Sequence, residues 1–162
     1  MLRRLPPRTP VETWPDERSL TVEDVRKLTN LFLMLLAEAP ALLYNGELHS
    51  AQFQLDDVRT ELVKVMYRRL GLSYAKRFKH FSEVLPPAFL ADLERTYMPP
   101  GAVPLDRGAM AIVYVALFEV LGEHLQALSD QPGGGFEPRW YWRLHHQTSA
   151  KFRAFERDVA EN

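Results

Sequence analysis

Asp56 and Asp57 stand side by side in a run that also holds Glu47 and Glu61. Paired carboxylates are the raw material of acid–base work and of sites for hard cations. On a helix, however, neighbours point about 100° apart, because 3.6 residues make a turn. Asp56 and Asp57 therefore do not converge on one ion, and no metal site is expected. Gln52, Asp56 and Arg59 follow at i, i+4 and i+7 and do share a face. They could hydrogen-bond a small polar ligand, or close on one another as an internal ion pair on a solvated face. Glu47, at the start of the same run, adds an outward acid. Glu47, Gln52, Asp56 and Arg59 are the candidate substrate-binding residues.

Other groups with chemical potential are sparser. Lys76 and Lys79, with Arg77 and Tyr74, could meet phosphates as point charges, or form a solvated basic face beside Phe78 and Phe81. His145 and His146 are adjacent and splay apart, and no His-Glu-x-x-His pattern accompanies them. His124 falls on an apolar stripe and reads as a hydrogen-bonded, partly buried histidine. The three glycines at 133–135 lack the Lys-Ser/Thr that follows a phosphate-binding loop, so they read as a linker. No serine sits in a nucleophile elbow. Trp140-Tyr141-Trp142 reads as core or interface packing. A helical RNA-cleaving toxin would need an arginine and a histidine four to six residues apart on one helix; no such Arg-then-His spacing is expected here, and that reading ranks low. No catalytic residue is assigned.

The elements that must position these groups are helical. Gly46 to Gly71 contains no proline and no internal glycine, and Leu48, Ala51, Leu55, Val58, Leu62, Val65, Met66 and Leu70 recur every three or four residues. That spacing predicts a central helix over 47–70, roughly 36 Å long at 1.5 Å per residue. Gly71 stands where a left-handed cap belongs, after Lys64, Arg68 and Arg69. Upstream, Thr21 and Asp24 predict the capped start of a first helix over 19–39, stopped by Pro40, with a short connection over 41–45. Downstream, the pattern predicts a short basic helix over 72–81, a helix over 87–96 opened by Pro87, and one over 107–128 capped by Asp106. A last helix spans 138–158. No segment alternates as a strand does. The fold class is all-α: a bundle of four long helices plus one or two short ones.

With 162 residues and 46% hydrophobic side chains, the chain can build one sizeable core. Residues 1–18, with Pro6, Pro7, Pro10 and Pro15, read as an extended linker, and 19–162 as a single helical domain. Twenty basic residues against 21 acidic ones give a net charge of −1, which does not favour nucleic-acid binding. The absence of cysteine removes disulfides and thiolate metal sites. No apolar leader is visible, and apolar stretches break before the ~20 residues of a membrane span. A cytoplasmic location is the expectation, with no membrane partner.

The pattern Leu48…Arg59-x-Glu61-Leu62…Gly71, then Lys76-x-x-Lys79 and Thr96-Tyr97, resembles the C-terminal helical domain of aminoglycoside 6-adenylyltransferases (streptomycin adenylyltransferases). The similarity runs from about Leu43 to Phe155. In such enzymes an α/β domain with a Gly-Ser motif and paired aspartates holds ATP and Mg²⁺, and the helical domain supplies acceptor contacts. The resemblance implies nucleotide-phosphate contact for Lys76 and Lys79, and a small cationic acceptor. This chain has no Gly-Ser…Asp-x-Asp pattern and no strands to carry one. The resemblance thus implies an acceptor-recognition domain, inactive alone, that takes ATP and Mg²⁺ only through a partner catalytic domain. The alternative is a non-enzymatic interaction protein that dimerises through the Trp140–Trp142 surface and the first helix.

Overall fold

A computed structural model describes residues 20–73, 81–130 and 136–160, with side chains as far as residue 154. Among them there are six helices and no strand: α1 (Val22–Tyr44), α2 (Leu48–Arg69), α3 (Phe81–Val84), α4 (Pro87–Glu94), α5 (Arg107–Ser129) and α6 (Pro138–Ala160). The all-α expectation holds.

The caps act where the sequence places them. The Thr21 hydroxyl accepts the Asp24 amide, and the Asp24 carboxylate accepts the Thr21 amide, a reciprocal capping box. The Asp106 carboxylate accepts the Ala109 amide at 2.7 Å and starts α5. Pro87 opens α4, where its missing N–H costs nothing. Asp106→Ala is expected to cost about 1 kcal/mol, read as a lower urea midpoint at unchanged m.

One boundary moves. Pro40 does not stop α1, which continues to Tyr44. Proline removes its own donor and crowds the carbonyl four residues back. Ala39 and Leu43, on either side of Pro40, are fully buried, and their packing offsets that cost. The stop is Gly46, at φ +76°, where the Glu47 amide donates to the Leu42 carbonyl at 2.9 Å. That is the glycine-capped turn expected at the other end of α2, which Gly71 also supplies. The connection read over 41–45 is thus the last turn of the helix. The reason is that Leu42 and Leu43 still have core to bury, and tertiary packing outweighs local propensity.

The four long helices form a bundle in which α1 packs on α2, α5 and α6, and α5 packs on α1, α2 and α6. α2 and α6 do not form a packed pair, so they occupy the two far corners. α5 is therefore the hub as much as α2 is. Met110, Tyr114, Leu117, Phe118, Leu121 and Leu125 of α5 are buried on all sides. The α2 stripe is buried as its spacing predicts, from Ala51 through Leu55, Val58 and Leu62 to Met66. α1 and α5 are each long and apolar enough to cross a membrane by length and composition, which the reading of broken apolar stretches missed.

Gly122 has a packing reason. A Cβ there would lie 2.6 Å from both the Trp142 and Tyr141 rings. The Tyr141 ring is fixed, because its hydroxyl donates to the Phe118 carbonyl at 2.7 Å and none of it is exposed. Gly122→Ala is therefore expected to cost about 2 kcal/mol despite alanine's better helix propensity. Thermal unfolding reads this, and a rise in Tm would contradict the packing argument.

Candidate functional site

The first half of α2 is held from three sides. From α5, the Tyr114 hydroxyl lies 3.0 Å from the Ala51 carbonyl and 2.7 Å from Gln54 Oε1. It thereby supports the backbone where the polar residues begin. Burial pushes the Tyr114 phenol far above its usual range, so the hydroxyl stays protonated as a donor. From the turn that follows the short α4, Thr96 and Tyr97 receive Arg59. The Arg59 Nη2 donates to the Thr96 carbonyl at 2.6 Å and Nε to the Thr96 hydroxyl at 3.2 Å. Its guanidinium lies 4.3 Å from the Tyr97 ring centre. At the N-terminal corner, the Arg107 guanidinium lies over Gly46, where an added Cβ would come within 2.9 Å of it.

Against this frame the four candidate residues separate. Glu47 is exposed at the N-cap of α2 and its side chain makes no capping bond. Gln52 donates to both oxygens of Asp56 at 3.2 Å. Asp56 also accepts from Arg59, and its side chain remains 55% exposed. Arg59 itself is buried, with donors committed to Asp56 and Thr96. Gln52, Asp56 and Arg59 are thus brought together, but as the internal chain that the sequence left open beside ligand binding. Arg59 works as a tether between α2 and α4, while Glu47, Asp56 and the exposed Asp57 form an acidic outer edge. Between Gly46 and Val58 there is no Lys or Arg. Lys76 and Lys79 lie outside the described residues, as do Tyr74, Arg77 and Phe78.

This edge is a surface rather than a pocket. An open hollow of about 380 Å³ lies nearby, between the end of α1 (Pro40, Leu43, Tyr44, Asn45) and Lys151 and Phe152 of α6. Another, of about 250 Å³, lies between α5 and α6 beside Ile112, Val115 and Arg153. Neither is lined by Glu47, Gln52, Asp56 or Arg59. Among the described residues no group of three His, Asp or Glu side chains is placed to hold a metal ion.

Sequence reasoning missed a second polar assembly. His124 is fully buried on α5, as its stripe position implied, but its partners are distant in sequence. Arg69 from α2 donates to Nδ1 at 2.8 Å, and Nε2–H donates to Asp92 from α4 at 3.2 Å. The Phe89 ring stands edge-on to the imidazole at 4.7 Å and carries the Arg69 guanidinium on its face. Burial, reinforced by the Arg69 charge, lowers the His124 pKa to about 4, so the ring is neutral at pH 7. With Nδ1 occupied by Arg69, the ring has no free nitrogen with which to act on a ligand. Asp92 continues through Arg95 to Glu119 on α5, joining three helices.

The Arg–His spacing needs correction too. Arg139 and His145 do stand six residues apart on α6. They do not share a face: Arg139 is exposed, while His145 is buried beside the Val115 carbonyl at 3.3 Å. Of the aromatic run, Trp140 is 62% exposed and Tyr141 wholly buried, so a single ring faces outward without reservation.

The chain matches no family model, no curated protein and no solved structure. The resemblance to the adenylyltransferase helical domain rests on the motifs that carry it.

Proposed function

We propose that this chain is the acceptor-recognition domain of a nucleotidyltransferase-type enzyme, receiving a small polycationic molecule of aminoglycoside character. Adenylyl transfer would be carried by a partner catalytic domain bringing ATP and Mg²⁺. The observation that carries the reading is the acidic edge of α2. Glu47, Asp56 and Asp57 face solvent on a helix start that Tyr114 and Arg59 hold in place. A helix start held before binding presents these charges to a polycation with little backbone ordering at the moment of contact.

The test is calorimetric titration with streptomycin at low and at physiological salt. Binding is expected to weaken as salt rises, because exposed charges are screened within about 8 Å at 0.15 M ionic strength. Glu47→Gln/Asp57→Asn should abolish it, and Arg107→Gln should strengthen it by removing the cation at that corner. A flat titration at millimolar ligand overturns the proposal. With ATP and Mg²⁺ added, no adenylylated product is expected, and turnover would show that the chemistry resides in this chain.

A second reading, a non-enzymatic helical interaction protein, is favoured by outward apolar side chains. Leu31 and Met34 on α1 are 41% and 51% exposed, alongside Trp140 on α6.

A further inference from the structure

α1 is an apolar helix that the bundle leaves largely uncovered. Its most apolar 18-residue window has a mean hydropathy of 1.2, yet 28% of that window is buried, against 61% for the comparable window of α5. The uncovered face has a pattern. Lys27, Leu31, Met34 and Glu38 follow at intervals of four, three and four residues, and all are exposed. That alternation is the seam of a helix pair, in which each side chain enters a gap between those of the facing helix. All four positions precede Pro40, where the backbone ladder is uninterrupted.

We propose that this seam binds a second copy of the chain, with the two α1 helices antiparallel across a two-fold axis midway between Leu31 and Met34. The axis sets Leu31 on Met34 of the partner subunit and Lys27 on Glu38 of the partner subunit, each contact occurring twice. One surface thus complements itself, as a two-fold interface requires. The end charges choose the direction. A parallel pair would bring lysine onto lysine and glutamate onto glutamate. Within one copy these charges are weakly committed: Lys27 reaches Glu23 at 3.8 Å with both side chains exposed, and Glu38 makes no ion pair among the described residues. Trp140, outward on the helix packed beside α1, extends the apolar area at the rim. The seam is short by the standard of stable interfaces, so the expected dissociation constant is about 10–100 μM. This inference rests on the second reading above, whose outward apolar side chains it shares, and it names the partner that surface takes.

Sedimentation velocity from about 5 to 500 μM tests it. The full chain is expected to pass from monomer to dimer across that range. Leu31→Asp should leave a monomer throughout, with the helical circular dichroism retained because the side chain is 41% exposed. Lys27→Glu and Glu38→Lys should each weaken dimerisation about tenfold, a ~1.4 kcal/mol effect. The double variant Lys27→Glu/Glu38→Lys should restore it, since the swapped charges again face their opposites. A chain that stays monomeric at every concentration overturns the proposal, and so does a dimer indifferent to Leu31→Asp. A double variant no better than the single ones overturns the antiparallel pairing. If the full chain is monomeric but a chain lacking residues 1–18 dimerises, the seam's occupant is the proline-rich segment, not a second copy. Flotation with phosphatidylcholine vesicles instead of self-association assigns the face to lipid and also overturns it.

Discussion

Arg59→Ala is expected to lower global stability by about 3 kcal/mol, the largest effect of any polar substitution in α2. The reason is what remains after truncation. Thr96 is fully buried, and its carbonyl would lose the guanidinium donor at 2.6 Å. The Tyr97 ring would lose the cation on its face. Asp56 is half solvated and returns to water at little cost. Arg59→Lys is expected to recover less than half of the loss, because an ammonium cannot serve the carbonyl, the hydroxyl and Asp56 from one planar fork. The loss has an address. The contact of α4 with α2 is small, so amide exchange over residues 87–97 should accelerate before the rest of the bundle opens. Unchanged protection there would show that Arg59 does not hold α4.

Acidification should weaken the fold through His124. Its folded pKa, about 4, lies below the value near 6.5 of an unfolded chain. Above pH 6.5 neither state binds the proton and the contribution is complete. Between pH 6.5 and 4 the unfolded chain takes up a proton that the folded ring refuses, so stability falls as pH falls. Below about pH 4 both states are protonated and this group has nothing further to lose. A difference of about 2.5 units corresponds to about 3 kcal/mol across the window. Burial of the ring is the first cause, and Arg69 adds to it: an imidazolium would present its second proton to that guanidinium at 2.8 Å. Chemical denaturation at pH 7.0 and 4.5 checks it. The parent chain should lose roughly 2 kcal/mol more between those two values than His124→Phe does. Equal losses would remove His124 from the account. His145, also pushed down by burial, contributes in the same direction in both chains and cancels.

Much of this architecture could be read from residue spacing. The Thr21 and Asp106 caps, the Pro87 start, the Gly71 stop and the α2 stripe are local signals, and each acts within a few residues of itself. Pro40 shows where local reading ends, because whether a proline stops a helix depended on what Leu42 and Leu43 could bury against. The candidate site was half legible. Gln52, Asp56 and Arg59 share a face by helical spacing alone. Thr96, 37 residues on from Arg59, could not be known as its partner. The same holds for Arg69, Asp92 and His124, which come from three helices, and for Arg107 at the Gly46 corner. Partners brought together by packing leave no periodic trace in a single sequence.

Charge is spread unevenly in a way that the net charge of −1 conceals. From Pro138 to Ala154 the last helix carries Arg139, Arg143, Lys151 and Arg153 and not one carboxylate, while α2, at the far corner, leads with Glu47, Asp56 and Asp57 and ends with Lys64, Arg68 and Arg69. A particle of this kind has no single sign toward its surroundings. Near neutral pH it should be retained by both anion- and cation-exchange resins at low salt, each resin catching a different side, and approaching macroions should turn it before they touch it.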